Sequence, residues 1–156
     1  MNLKIIKYPD PRLSTPAKEV DEAAWDQARA LSIAMKQFMK TLWGVPLGLA
    51  APQVGHGIRL FIAEGEVYVN PKIIEKSTET YLVKEGCYSL EKNRFDYTAR
   101  RHTWVILEYD RLNKKLTRKR FSGRSAQIIQ HEVDHLEGRL CHESSPGDKG
   151  DMNAKA

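Results

Sequence analysis

The stretch that most constrains how this chain can fold runs from Gln130 to Gly138 and reads QHEVDHLEG. It contains two histidines four residues apart, His131 and His135, with Glu132 directly after the first. On an α-helix, side chains at positions i and i+4 lie on the same face, one above the other. That spacing lets both imidazoles bind one metal ion, with the glutamate beside the position open to water. The pattern therefore predicts a helix that supplies part of a metal site.

A helical projection separates the histidines from the side of this helix that would pack in the core. With about 100° per residue and His131 at 0°, His135 falls near 40° and Glu132 near 100°. Five apolar residues of the same segment fall between about 140° and 220°, whereas Ile128 projects near 60°, on the histidine side. The five are Ala126, Ile129, Val133, Leu136 and Leu140. Two incidental buried histidines are the simpler interpretation, but a histidine pair off the apolar face, with a glutamate between, favours metal binding.

Length and composition indicate a globular protein with one core. Of its 156 residues, 41% are hydrophobic and 29% charged, which is typical of one folded domain. No apolar run is long enough to span a membrane, and the first residues lack the pattern of a signal peptide. Two cysteines, Cys87 and Cys141, are too few for a disulfide framework, so we expect a cytoplasmic protein with free thiols.

The order of the predicted elements indicates an α+β fold. An amphipathic helix is predicted from Asp21 to about Leu42, with Asp21 as its cap. Residues 45–55, rich in glycine, proline and alanine, predict a rigid irregular segment. Clusters of β-branched and aromatic residues predict the strands, which are 58–63, 66–70, 80–84, 102–109 and, as the partner of the last in a hairpin, 115–121.

The helix of the HExxH pattern completes this arrangement. Ser122 and Gly123 are predicted to open it, and Gly138 to end it. We therefore expect antiparallel or mixed β-sheets packed around a central HExxH helix, with the amphipathic helix on the N-terminal side. Residues 1–143 would form one catalytic domain, and the polar residues 144–156 a disordered tail.

An HExxH site needs a third protein ligand, and two cysteines are candidates for that role. Cys141 stands where the metzincin pattern H-E-x-x-H-x-x-G-x-x-H has its third histidine, and Gly138 matches the glycine of that pattern. Cys87 follows a glycine and a predicted strand, which would hold its thiolate close and rigid. A lone cysteine is more often a small buried apolar residue than a ligand. Spacing alone leaves both candidates open.

Three separated stretches, taken together, resemble the peptide deformylase family. The family pattern G-x-G-L-A-A-x-Q is similar to PLGLAAPQ at 46–53, E-G-C-x-S to EGCYS at 85–89, and Q-H-E-x-D-H-L-x-G to the stretch at 130–138. The sequence YPDPRL at 8–13 also resembles the N-terminal arm of the family. The resemblance spans residues 3–143 in the order and spacing of the family.

The sequence departs from the family at three places. Pro46 stands at the usual first glycine of the first pattern, which removes one backbone N–H donor. Tyr88 replaces the smaller aliphatic residue that usually follows the cysteine, so we expect a changed pocket shape with the backbone N–H kept. The chain also resembles a short form without the C-terminal helix that many bacterial members carry.

The resemblance implies that Cys87, His131 and His135 bind one divalent metal ion. Fe²⁺ is expected because it is typical of the family, although the same donors also suit Zn²⁺, Ni²⁺ or Co²⁺. Glu85, paired with Arg100, would hold the cysteine loop from behind.

The implied reaction removes the N-formyl group from the N-terminal formylmethionine of nascent polypeptides and releases formate. Glu132 would take a proton from the attacking water and pass it to the leaving amine. The side-chain amide of Gln53 and the backbone N–H of Tyr88 would stabilise the oxyanion. The implied substrate-binding residues are Leu47, Gly48 and Ile128.

Two other functions stay open at this point. One is an HExxH metallo-endopeptidase that uses Cys141 as the third ligand; the other is a non-catalytic, metal-binding module associated with the ribosome. For the deformylase, we expect a monomer in the cytoplasm of a bacterial cell, or of a host cell if a phage encodes it. The net charge of +5 permits an anionic partner. The basic run 114–120 is nevertheless read as a solvated strand face, and so as only a weak substitute for the missing helix in ribosome docking. No membrane and no specific nucleic acid are expected as partners.

Overall fold

The computed structural model describes residues 1–90 and 97–144, and these form an α+β fold that confirms the predicted fold class. In chain order the helices and strands are α1 (Trp25–Met39), β1 (Gly48–Ala50), β2 (Leu60–Ala63), β3 (Glu66–Lys76), β4 (Thr80–Glu85), β5 (Tyr97–His102), β6 (Trp104–Asp110), β7 (Leu116–Ser122) and α2 (Gly123–Leu136). Short 3-10 turns cover Pro11–Ser14, Ala51–Val54 and Cys141–Ser144. The domain bounds 1–143 stay a prediction, and residues 145–156 of the predicted tail lie outside the described residues.

The strands form two antiparallel sheets, one with the order β1-β2-β3-β6-β7 and one made of β4 and β5. The five-stranded sheet has a helix on each face. On one face α1 packs through Leu31 and Met35 against Leu60 and Ile62 of β2, whereas Phe61 of β2 joins the core with α2. Strand β2 is therefore buried on both faces, as its uninterrupted apolar sequence requires.

Helix α1 is shorter at both ends than the predicted helix from Asp21 to Leu42. Residues 22–24 form a turn, in which the Asp21 carboxylate accepts a hydrogen bond from the Ala24 backbone N–H at 2.9 Å. After Met39 the chain turns again, with the Thr41 hydroxyl donating to the Phe38 carbonyl at 2.7 Å. Asp21 thus caps the turn that leads into the helix and not the helix itself.

Two strands were not predicted. β1 lies within the segment expected to be irregular, yet Gly48, Leu49 and Ala50 pair with β2. β5 reads YTARRH, without a run of β-branched or aromatic residues, and only Ala99 and Arg101 of it are buried. The strand predicted from 102 to 109 therefore included the last residue of β5, because the break between β5 and β6 falls at Thr103.

Helix α2 contacts strands of both sheets. Its buried apolar residues share one core with Val105, Leu107 and Phe121. They are Ala126, Ile128, Ile129, Val133 and Leu136. The helix ends before Gly138, which has a φ of +75°. A Cβ at Gly138 would stand 2.8 Å from the backbone of Ser14, so this position needs glycine for its conformation and for its space.

An N-terminal arm, residues 5–17, makes backbone hydrogen bonds to three segments that are far apart in the sequence. The Ile6 backbone N–H donates to the Gln53 carbonyl at 2.7 Å, and the Tyr8 N–H to the Ser89 carbonyl at 2.8 Å. The Ala17 N–H donates to the carbonyl of Leu136 at 2.8 Å. No helix within residues 1–90 and 97–144 combines the length and apolar character that a membrane crossing needs.

Candidate metal centre

Three donor side chains converge between α2 and the segment after β4. Cys87, His131 and His135 have ligand atoms within 4.8 Å of one another. The two Nε2 atoms of the histidines are 3.2 Å apart, and the Cys87 Sγ is 3.4 Å from the Nε2 of His135. A tetrahedral ion would separate two such nitrogens by about 3.4 Å, and a nitrogen from a sulfur by about 3.6 Å. The donors are therefore spaced to hold one ion, and the structure brings together all three predicted ligands.

Burial also favours the protonation state that a ligand histidine needs. Burial, and after it the neighbouring His131, lower the pKa of His135 well below its usual range, so its imidazole is neutral. A metal ion binds the neutral ring, and no proton has to be displaced from this one.

A second group of donors lies next to the first and suits an ion less well. Glu85, His131 and Cys141 also have ligand atoms within 4.8 Å of one another. In this group the Nδ1 of His131 already makes a 2.8 Å hydrogen bond with the Oε2 of Glu85. Burial raises the pKa of the Cys141 thiol far above its usual range, so it stays protonated. A protonated thiol is a poor metal ligand, which disfavours Cys141 as the third donor.

The Glu85 carboxylate orients His131 from behind the donor cluster. Both of its oxygens accept hydrogen bonds from Arg101, at 2.7 and 2.8 Å, and one of them also contacts the His131 Nδ1. Burial would raise the pKa of Glu85, but the hydrogen bonds from Arg101 and His131 outweigh it and lower the pKa to about 2. The carboxylate is thus ionised at neutral pH, and the Nε2 of His131 is left to face the other donors.

The prediction that Arg100 pairs with Glu85 is wrong by one residue. Arg101 is the partner and also donates to the Asp134 carboxylate at 2.6 Å. Arg100 is exposed and donates to the Thr80 hydroxyl at 3.2 Å. Side chains alternate between the two faces of a strand, so in β5 only every second residue points towards α2.

Arg101 and Arg100 offer a matched pair of variants, one buried and one exposed on the same strand. Arg101→Ala should lower the free energy of unfolding by about 3 kcal/mol or more, because it leaves the buried Glu85 carboxylate without its cation. Arg100→Ala removes the same side chain from the exposed face of the same strand, and its effect should stay within about 0.5 kcal/mol. Urea unfolding of both variants, loaded with the same metal, measures the difference. A larger loss in Arg100→Ala than in Arg101→Ala would show that β5 has the opposite register, and equal losses would contradict the role assigned to Arg101.

Glu132 lies beside the donors in a setting suited to proton transfer. It is only 3% exposed, and burial raises its pKa to about 7. Its Oε2 is buried without a hydrogen-bond partner in the part of the chain that the structure describes. A carboxyl group with a pKa near neutrality can both accept and return a proton at working pH.

Gly48 leaves the space that the Glu132 carboxyl group occupies. A Cβ at position 48 would stand 2.3 Å from the Oε1 of Glu132 and 2.8 Å from its Cδ. Gly48 was predicted to bind substrate; in the structure it lines the cleft and also makes room for this carboxyl group. The tight contact explains why a glycine begins β1.

Gly48→Ala should therefore lower kcat by about 10²-fold, because the added methyl group displaces the Glu132 carboxyl from its position. The overall fold should remain, since the collision is with the end of one side chain. Gly57→Ala is the control, because a Cβ there meets no atom within 4 Å. Enzyme kinetics and circular dichroism on both variants check the prediction. Unchanged kcat in Gly48→Ala would mean that the carboxyl group can move without loss.

Gln53 is held with its amide nitrogen towards the donor cluster. Its Oε1 accepts a hydrogen bond from the Ala50 backbone N–H at 3.0 Å, which leaves the Nε2 on the opposite side. That nitrogen lies 3.4 Å from the Cys87 Sγ and 3.2 Å from the Ser89 hydroxyl. These contacts fix the direction of the amide nitrogen beside the donor cluster. Ser89, within the second pattern, was not predicted as a site residue.

Tyr88 connects two walls of the site. Its hydroxyl donates to the backbone carbonyl of Trp43, and its own carbonyl accepts a hydrogen bond from the Lys7 ammonium. The segment that Tyr88 reaches includes Val45, which has a φ of +40°, an uncommon conformation for a β-branched residue. The Tyr88 hydroxyl thus holds the segment at the edge of the cleft by a hydrogen bond. A smaller aliphatic residue at this position could not make that bond.

An open cleft of about 420 Å³ leads from the surface to the donor cluster. The predicted substrate-binding residues Leu47, Gly48 and Ile128 all line it. Sequence reasoning missed other lining residues, among them Trp43, Arg124 and Gln127. Arg124 and Gln127 precede His131 by seven and four residues, so extending the helical projection to them would have placed both on the histidine side.

An HExxH helix with a convergent Cys-His-His donor set, at the end of a cleft, defines the class of metal-dependent hydrolases. The comparisons with known proteins narrow this class. A family model described as polypeptide deformylase matches residues 2–149. The chain belongs to the polypeptide deformylase family, whose members are metal-dependent hydrolases.

Relatives and solved structures agree with this assignment. Peptide deformylases from Christiangramia forsetii and Dictyoglomus thermophilum are 34% and 37% identical to this chain, over 90% and 88% of it and 80% and 88% of their own length. The crystal structure of peptide deformylase from Thermotoga maritima has a TM-score of 0.82 at 28% identity, covering 94% of this chain and 99% of the other. A structure from Acinetobacter baumannii bound to Met-Ala-Ser has a TM-score of 0.81 at 30% identity, over 92% of this chain and 98% of its own.

Proposed function

We propose that this enzyme hydrolyses the formamide bond of N-formylmethionyl peptides and releases formate together with the free N-terminal amine. The observation that carries the proposal is the Glu132 carboxyl group, buried without a hydrogen-bond partner in the described residues, beside three convergent donors at the end of an open cleft. Cys87, His131 and His135 would hold one divalent ion. When bound, that ion would supply Lewis-acid chemistry, which polarises a carbonyl oxygen and makes a water more acidic.

The residues of the chain divide the remaining work. Glu132 accepts a proton from water as the water oxygen bonds to the formyl carbon, and it returns the proton to the peptide nitrogen as the C–N bond breaks. The amide of Gln53 and the backbone N–H of Tyr88 donate hydrogen bonds to the oxygen that gains negative charge. The contact between Gln53 and the Ala50 N–H supports this role, because it fixes the direction of the donor.

The lining of the cleft supports a methionyl peptide as the substrate. Leu47 is 45% exposed and Ile128 is 9% exposed, so both offer apolar surface to a methionine side chain. The peptide Met-Ala-Ser in the Acinetobacter baumannii structure is the product that deformylation of formyl-Met-Ala-Ser would give. Burial of a methionine side chain contributes about 1.5–3 kcal/mol, which favours methionine over smaller residues at this position.

A formate-release assay tests the proposal. Protein purified without oxygen and loaded with Fe²⁺, Ni²⁺ or Co²⁺ should release formate from formyl-Met-Ala-Ser. Acetyl-Met-Ala-Ser is the control, and it should be cleaved far more slowly because its methyl group has to fit where the formyl hydrogen lies. Absence of formate with all three metals would overturn the proposal. Metal analysis of the same sample determines which ion the purified protein carries.

Several details of this function stay predictions. Fe²⁺ is the expected ion, while the donor set also suits Zn²⁺, Ni²⁺ and Co²⁺. The family resemblance also supports four further proposals. The substrate would come from nascent chains, the enzyme would act at the ribosome, it would be a monomer, and it would be located in the cytoplasm. Analytical ultracentrifugation and ribosome co-sedimentation test two of them.

A further inference from the structure

Arg124 carries an exposed charge at the outer part of the cleft. Its side chain lines the cleft and makes no ion pair or hydrogen bond with the residues that the structure describes. Among residues 1–90 and 97–144, two acidic residues line the same cleft, Glu85 and Glu132, but each is only 3% exposed, and Arg101 neutralises Glu85. The exposed charge that these described residues offer to an entering substrate is therefore positive.

The position of Arg124 on α2 gives its distance from the reacting group. Arg124, Gln127 and His131 project at about 20°, −40° and 0°, on one side of the helix. Arg124 lies about 10 Å from His131 along the axis, at 1.5 Å per residue. An extended peptide rises about 3.3 Å per residue, so this distance corresponds to about three residues. A peptide whose formyl group lies at the donor cluster and whose chain follows α2 would bring its third residue to Arg124.

The beginning of α2 adds to the positive potential at this point. The first turn of the helix contains no acidic residue, and the Ser122 side chain makes no capping hydrogen bond. The positive end of the helix dipole is therefore uncompensated by the helix itself. Glu64 reaches this turn, where it accepts a hydrogen bond from the Ser125 hydroxyl at 2.8 Å, but it does not line the cleft.

We propose that Arg124 is a specificity-determining residue that favours formylated peptides with an acidic side chain at their third residue. The inference rests on the proposed deformylase function and adds a substrate preference to it. The guanidinium group would pair with the carboxylate in an exposed setting, where such a pair is partly screened by water and salt. The preference is therefore moderate and depends on salt.

Three amidated peptides test this inference, formyl-Met-Ala-Glu, formyl-Met-Ala-Gln and formyl-Met-Ala-Lys. At low ionic strength the unmutated enzyme should have a kcat/KM about two- to fivefold higher for the Glu peptide than for the Gln peptide. The ratio should approach one at high salt. Arg124→Gln should abolish the preference, and Arg124→Glu should reverse it in favour of the Lys peptide.

Lys115→Gln is the matched control, because it removes one exposed positive charge outside the cleft and should leave the ratio unchanged. Equal kcat/KM for the three peptides in the unmutated enzyme, or a preference that survives in Arg124→Gln, would overturn the inference. Calorimetric binding of the same peptides gives the same ratio even if none is hydrolysed. Failure of the proposed function can therefore be told apart from failure of this inference.

Discussion

Replacing Glu132 by glutamine is expected to lower kcat for deformylation by about 10²- to 10⁴-fold, the range that a positioned acid–base group contributes. Glutamine has nearly the same size, so it fits the space that Gly48 leaves, but it cannot accept a proton from water. Steady-state formate release from formyl-Met-Ala-Ser measures the effect.

The metal content of Glu132→Gln is the control for this variant. It should equal that of the unmutated protein, because Glu132 is not one of the three convergent donors. Full metal content with lost activity would separate an enzyme from a module that only binds metal. An active Glu132→Gln variant would contradict the assigned role, and joint loss of metal and activity would mean that the carboxylate helps to hold the ion.

Replacing Cys87 by alanine should remove the bound metal during dialysis and, with it, all measurable deformylation. The two histidines that remain cannot retain an ion as three donors do, since a thiolate ligand is lost from a buried site. Cys141→Ala should keep a full equivalent of metal. The Cys141 thiol is buried and protonated, and the Nδ1 of the nearby His131 is already hydrogen-bonded to Glu85. Metal analysis after dialysis against a chelator compares the two variants.

The two cysteine variants also decide between the enzyme classes that the sequence left open. Loss of metal in Cys141→Ala and retention in Cys87→Ala would favour an endopeptidase of the HExxH type, which a casein-cleavage assay would detect. Both cysteines are buried, so a modest loss of stability is expected in either case. Thermal unfolding of the metal-free forms measures this loss of stability, so that it can be separated from the loss of metal binding.

The half of the site on α2 could be predicted because its information is local. The spacing of His131 and His135 on a helix fixes their common face, and the apolar positions fix the opposite one. The same projection also places Arg124 and Gln127 on the histidine side, but only the fold shows that this side lines a cleft. Local periodicity therefore predicts which face of the helix a residue occupies, but not whether that face contacts the core, a cleft or solvent.

The other half of the site depends on contacts between distant segments. Cys87 is 48 residues from His135, and from the residues alone its choice over Cys141 was undecided until the fold placed both. The error of one residue between Arg100 and Arg101 has a similar origin. Because β5 lacks the composition of a strand, its alternation could not be assigned, and a shift of one position exchanges the buried and the exposed face.

The N-terminal arm has a consequence for the order of folding during synthesis. Its backbone hydrogen bonds reach Gln53, Ser89 and Leu136, so the segment translated early has to wait for partners that are translated much later. Helix α2, with two of the three convergent donors, follows every strand that the structure describes. Since chains emerge with the N-terminus first, the arm can complete its hydrogen bonds only after Leu136 has been translated. An ion that needs all three donors would likewise bind only after β1 to β7 have been translated, and its binding energy would stabilise this late step of assembly.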